Sequence, residues 1–211
     1  MDIGGGTGAW AVLMAQNARR VTVVEPSSAM IEIMRKNLAE SAVLNVEIVQ
    51  QKWPDAQVDK HDLTLCSHAM YGFPDFAMFV RSMEAVTRHT CVLIMRAPIP
   101  QDLLSMAAAH IWGHPYDSPD FQVAYNALLQ MGIFPNVLME DTGLWDPWSS
   151  PNMEEAFAEA KRKLDLPANS EHDAYLQDLL THNLIYRDGR YEWPRGIRTA
   201  LVYWDIYQRS Q

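Results

Sequence analysis

The chain alternates between short apolar runs and longer stretches in which apolar residues recur at helical spacing. Runs at 21–24 (Val21-Thr22-Val23-Val24), 46–49, 62–66, 91–95 and 136–139 predict strands. The run Cys91-Val92-Leu93-Ile94-Met95 is apolar without interruption, as a strand covered on both faces would be. Residues 9–17 predict a helix, and Met30, Ile31, Met34 and Leu38 form one face of a second, capped by Ser27 or Ser28. Pro74-Asp75 opens a third helix through residue 86, with Phe76, Phe79, Val80 and Met83 on its inner face. Residues 102–112 predict a fourth, and Ser118-Pro119 starts a fifth that Gly132 stops. Strands alternating with helices predict an α/β fold with a doubly wound, mostly parallel sheet.

The pattern changes from Pro98 onward, and past the sixth strand an insertion begins at Leu144. Residues 144–195 read as a helical lid. Ser150-Pro151 starts one of its helices, whose Met153, Phe157, Ala160 and Leu164 form a single stripe, and Ser170 with Asp173 makes a capping-box start for the next. Asp188-Gly189 between two short apolar segments predicts a two-residue hairpin turn. Residues 197–204 predict a last strand. The expected organisation is one domain: a nucleotide-binding core over 1–100, a helical insertion with the sixth strand over 101–143, the lid over 144–195, and the last strand over 196–211. The lid helices from 151 to 186 are expected to move so that ligands can enter and leave.

The first chemistry stands at the start of the chain, in Asp2-Ile3-Gly4-Gly5-Gly6-Thr7-Gly8. A strand end, a glycine loop, a helix, a second strand and an acid, Glu25, make a nucleotide-binding βαβ unit. The glycines allow a sharp turn and let a ligand approach bare backbone at a helix N-terminus. Gly4-x-Gly6-x-x-Ala9 fits the dinucleotide fingerprint, with Glu25 near the distance for gripping a ribose. Asp2 adds a second criterion, because a carboxylate repels a pyrophosphate and attracts an ammonium group. With Gly8 as third glycine the loop reads D-x-G-x-G-x-G.

In these residues the chain resembles the class I S-adenosylmethionine-dependent methyltransferases, in strand order and spacing over roughly the first hundred residues. The resemblance implies a seven-stranded sheet whose last strand runs antiparallel beside the fifth, with S-adenosyl-L-methionine as cofactor. It implies that Glu25 accepts hydrogen bonds from the ribose hydroxyls and that Asp2, Gly4, Gly5, Gly6 and Gly8 surround the amino acid end. Pro26 and Met30 follow on the same side. Where the family often carries an acid against the adenine amino group, this chain has Gln51 and Lys52, with Trp53 available to the purine face. Ser67 and His68, beyond the fourth strand, complete the cofactor set. His68 and Tyr71 are the acid–base candidates, His68 because imidazole titrates near neutrality.

Methyl transfer from a sulfonium asks mainly for an aimed, desolvated acceptor. His110, Trp112, His114, Tyr116, Trp145 and Trp148 are the candidate walls of an acceptor pocket. His110 and His114 stand four apart, as helical metal ligands would, yet Gly113 and Pro115 end the helix before the second, and no metal is expected. The same glycine loop also suits a nicotinamide-dependent oxidoreductase. A non-catalytic module that keeps the fold to hold a ligand or a partner is the third reading.

Composition narrows the partners. A formal charge of -9 and a pI near 5.2 oppose nucleic acid binding, which rests on clustered Lys and Arg. The two cysteines, Cys66 and Cys91, lie in apolar runs and read as buried free thiols, which fits a reducing cytoplasm. No apolar run reaches the length of a membrane span, and no leader pattern opens the chain. A small-molecule methyl acceptor is the expected partner, with a homo-oligomer possible. Finally, one residue precedes Asp2, whereas central strands typically run about five or six residues. The first strand is therefore expected to be truncated, as in an N-terminally shortened version of a longer methyltransferase.

Overall fold

The computed structural model describes residues 1–117, 119–140 and 143–206. These fall into two compact units. One comprises Met1–Met95, Ala124–Leu138 and the chain from Leu201; the other comprises Arg96–Val123 and Met139–Ala200.

The seven-stranded sheet is built from β1 (Asp2–Ile3), β2 (Val21–Val24), β3 (Val46–Val49), β4 (His61–Ser67), β5 (Thr87–Pro98), β6 (Asn136–Met139) and a last strand, Ile197–Asp205, here β10. Its order is β3-β2-β1-β4-β5-β10-β6. Strands β1 to β5 pair in parallel, with Ile3 opposite both Val24 and Cys66. At one end of the β5–β10 pair Ile99 N–H donates to the Gly196 carbonyl, at 2.7 Å. At the other, Thr90 Oγ1 donates to Asp205 Oδ1, also at 2.7 Å. Those contacts join the end of one strand to the start of the other, so β10 runs antiparallel, as the resemblance implied.

Helices α1 (Ala9–Ala15), α2 (Ser28–Glu40), α3 (Phe76–Ala85) and α5 (Phe121–Gln130) lie along the first unit's part of the chain, the first three residues of α5 belonging to the other unit. Their buried positions are those of the periodic pattern: Ile31, Met34 and Leu38 on α2, and Phe79, Val80 and Met83 on α3. Met30 departs from it. It is 41% exposed, because it sits on the first turn beside the cap rather than over the sheet. Ser27 is the α2 cap, its Oγ accepting from Met30 N–H. At α5 the carboxylate of Asp120 accepts from the N–H groups of Gln122 and Val123, the place expected of Ser118, which lies outside the described residues.

Strand β1 is short, as expected, and Met1 extends its pairing: Leu65 N–H donates to the Met1 carbonyl. Below Met1 a cleft of about 1380 Å³ opens at the amino ends of the strands, lined among others by Val21, Val46, His61 and Leu63. His61 Nε2 and Thr22 Oγ1 meet across this level of the sheet at 2.9 Å.

The second unit holds α4 (Leu103–Trp112), α6 (Met153–Lys163), α7 (Asp173–Asn183) and a small antiparallel sheet. That sheet, ordered β7-β9-β8, consists of β7 (Ser149–Ser150), β8 (Ile185–Arg187) and β9 (Arg190–Glu192). The hairpin is the expected one: Asp188 and Gly189 both take positive φ, 50° and 78°. The third strand at 149–150 was not legible in the sequence, since two serines carry no strand signal. Serine 150 does not cap α6; Asn152 does, its Oδ1 accepting from Glu155 N–H at 2.8 Å, which frees Ser150 to accept from Trp193 Nε1. Leu104, Ala107, Ala156, Ala160, Leu164, Leu176, Leu180 and Trp193 close the unit's core.

Candidate functional site

The glycine loop leaves β1 and is tied down before it turns. Gly4 N–H donates to the Val24 carbonyl at 2.8 Å, and Gly8 N–H to the Gly5 carbonyl at 2.9 Å. Asn37 reaches from α2 to donate to the Thr7 carbonyl at 2.9 Å, a contact that an asparagine within a helix does not announce in sequence. Gly4, Gly6 and Gly8 all take positive φ, where a Cβ is strained.

What a Cβ would meet separates their duties. At Gly4 it would overlap Ala69 Cβ, and at Gly8 it would overlap Met34 Cγ, so these two glycines exist for close packing. At Gly6 nothing lies within 4 Å. Its backbone faces open space, as a surface meant for a ligand must.

Around that opening stand two carboxylates of different character. Glu25, buried at the end of β2, accepts from Gly6 N–H with Oε2 at 3.0 Å and from Ser27 N–H with Oε1 at 2.9 Å. Asp2 is buried too, and neither of its oxygens has a hydrogen-bond partner. Burial, opposed by the N-terminal ammonium and assisted by the negative Glu25, pushes its carboxyl up to about 7. An orphaned buried carboxylate is costly. A donor supplied by a ligand would offset that cost, and a cationic donor most of all.

The residues after β3 and β4 border the same carboxyl ends of the strands. Gln51 Oε1 accepts from Gln57 N–H, and Trp53 lies edge-on to Phe79 with its indole N–H buried and without a partner. Lys52 is exposed and Pro26 borders Glu25. Beyond Ser67, His68 takes a left-handed conformation (φ 55°) and its Nδ1 meets Tyr71 Oη at 2.8 Å. The sequence named both residues, and the fold brings them together. The loop they occupy packs on the glycine loop through Ala69, a neighbour that sequence alone does not reveal.

These groups fit S-adenosylmethionine in kind: two acids beside a loop open at Gly6, one of them lacking a donor. Among the described residues, no group of three His, Cys, Asp or Glu side chains could hold a metal ion. The thiols of Cys66 and Cys91 are buried and free, and burial pushes both up, Cys91 to about 12.

The six expected acceptor-pocket residues all lie in the second unit, and they do not form one cluster. Trp112, His114 and Tyr116 follow one another in space, with ring centroids 5.8 and 5.6 Å apart. His110, on the last turn of α4, stacks on Tyr175 at 3.7 Å, edge-on to His172. Trp145 Nε1 donates to Thr199 Oγ1 at 2.8 Å. Trp148 packs against Trp193 beside the unit's core, with Lys163 Nζ 4.4 Å over its ring. Helix α4 ends at Gly113, in a left-handed conformation, so the two histidines do not share a helical face.

Residues 1–90 match the family model described as a methyltransferase domain. A comparison with curated proteins returns no match. Among solved structures, the YcgJ protein of Bacillus subtilis superimposes with a TM-score of 0.58 at 18% identity, covering 96% of this chain and 88% of that one. Magnesium protoporphyrin IX methyltransferase of Synechocystis PCC 6803, solved with S-adenosylhomocysteine, gives 0.51 at 16% identity, with 68% of each chain covered. Geranyl diphosphate C-methyltransferase of Streptomyces coelicolor A3(2) gives 0.53 at 14% identity, covering 97% of this chain and 69% of that one.

Proposed function

We propose that this chain, whose residues 1–90 match the model of a methyltransferase domain, is a class I S-adenosylmethionine-dependent methyltransferase that methylates a small-molecule acceptor. The observation that carries the reading is the pairing of an orphaned buried carboxylate, Asp2, with a glycine loop open at Gly6 and latched to Glu25. Two of the structures with the same fold support a small acceptor, being named for protoporphyrin and geranyl diphosphate as their substrates.

Asp2 would receive the ammonium of the cofactor's amino acid end, beside the loop backbone that is open at Gly6. Glu25, an acceptor-only group, takes the ribose hydroxyls. Gln51, Lys52 and Trp53 border the adenine, and Pro26, Met30 and Ser67 line the remaining rim. When bound, S-adenosylmethionine supplies a methyl group on a sulfonium, a carbon already bearing an excellent leaving group. The chain's remaining tasks are to aim the acceptor, exclude water and hold a proton. His68 is the general base where the acceptor must be deprotonated, and Tyr71 orients its ring through Nδ1. Of the six candidate wall residues, Trp112, His114 and Tyr116 stand together, and to these three we assign selection of the acceptor body. The two buried free thiols support a reducing, cytoplasmic setting for this work.

The test is transfer of label from methyl-tritiated S-adenosylmethionine into the small-molecule fraction of a cell extract. Label in that fraction, lost with Glu25→Ala, is expected. Label found solely in protein or nucleic acid would overturn the reading.

A further inference from the structure

Residues 121–139 contain no Asp, Glu, Lys, Arg or His, in a chain that is 20% charged with a formal charge of -9. The stretch covers α5, the turn at Gly132 and the strand β6. Its residues 124–138 belong to the first unit, and β6 closes the strand order of the seven-stranded sheet, pairing among the described residues on one side alone. An edge strand presents a row of unpaired N–H and C=O groups, and proteins commonly guard such an edge with a charge, a bulge or a covering segment. Here no exposed side chain is charged: Gln122, Asn126, Gln130 and Asn136 are the polar ones, and the large apolar ones are Leu129 at the end of α5, Phe134 ahead of the strand, and Leu138 and Met139 in it, Phe134 at 72% and Leu138 at 61% exposure.

We propose that this edge is the interface with a second copy of the chain. The open ladder of β6 asks for another strand, and antiparallel pairing of β6 with itself across a two-fold axis gives the open groups of both copies a partner. The charge distribution selects the same occupant. Two copies that each carry -9 repel through any face bearing acidic side chains, and the long uncharged stretch is where they approach at least cost. Phe134 and Leu138 of each copy then cover one another beside the joined strands, making one continuous sheet of two protomers. This inference is independent of the methyl-transfer reading.

Sedimentation equilibrium of the full chain, at several micromolar loadings, tests it against Leu138→Lys. Circular dichroism and the melting curve of each protein control for folding. The intact chain is expected to sediment as a dimer, and Leu138→Lys as a monomer with an unchanged dichroism spectrum. Should Leu138→Lys misfold, Phe134→Glu in the exposed turn takes its place, with the same expected loss of the dimer. An intact chain that is monomeric throughout, or a folded variant that stays dimeric, would overturn the proposal.

Discussion

Glu25 Oε2 accepts a hydrogen bond from Gly6 N–H at 3.0 Å, which ties the end of one strand to the most open residue of the glycine loop. The same carboxylate holds Ser27 N–H, so it fixes the loop and the start of α2 together. Exchange to Ala removes a charged acceptor worth about 1.5 to 3 kcal/mol. Cofactor affinity is expected to fall roughly ten- to a hundredfold, at about 1.4 kcal/mol per decade, in a calorimetric titration of a variant that retains its dichroism spectrum.

Asp2 makes binding depend on pH. Its carboxyl is raised to about 7, so it is largely neutral below that value in the folded chain. An ammonium ligand favours the carboxylate, so binding below pH 7 must expel a proton, and affinity weakens by up to about tenfold per pH unit as pH falls. Above pH 7 the dependence flattens. Stability has its own sign: the folded chain holds the proton between the ordinary value of 3.8 and about 7, so Asp2's contribution declines as pH rises across that window. Calorimetry in buffers of different ionisation enthalpy measures the released proton, and Asp2→Asn should abolish it.

Gly6 and Gly8 distinguish ligand approach from packing. Alanine at either is strained by about 1–2 kcal/mol in the left-handed conformation. At Gly8 it must also displace Met34, so the melting temperature should fall further for Gly8→Ala than for Gly6→Ala. At Gly6 the space is open, and Gly6→Ala should lose cofactor affinity out of proportion to its stability. Equal stability losses with equal affinities would show that the opening serves no ligand.

The His68–Tyr71 hydrogen bond predicts a split in kinetics. His68→Ala should lower kcat by about 10²- to 10⁴-fold where the acceptor needs deprotonation, with little change in cofactor affinity. Tyr71→Phe should shift the pH profile of kcat while retaining most of the rate. A rise in KM alone, for either variant, would assign the pair to lining the pocket.

How legible these features were depends on how local their causes are. The strands at 21–24 and 91–95 and the helix faces of Ile31-Met34-Leu38 and Phe79-Val80-Met83 follow from periodicity, because burial acts residue by residue along each element. The site's carboxylates and glycines were legible for the same reason, all lying on one βαβ unit. Contacts across the chain were not. Nothing local marks Ala69 as the neighbour that requires Gly4 to be glycine, or Asn37 as the brace on Thr7. Lys161 is a similar case: nothing local marks it as the lysine whose ammonium is buried against Asp173 and the Ala168 carbonyl. The caps Asn152 and Asp120 were displaced by two residues from their expected serines, since Ser, Asn and Asp cap comparably and the flanking pattern does not choose among them.

The most direct test of the central claim is isothermal titration of the full chain, in parallel, with S-adenosylhomocysteine and with NADH. Saturable binding of S-adenosylhomocysteine that Glu25→Ala weakens at least tenfold, with no heat from NADH, is the predicted result. Saturable binding of NADH with none of S-adenosylhomocysteine would contradict it.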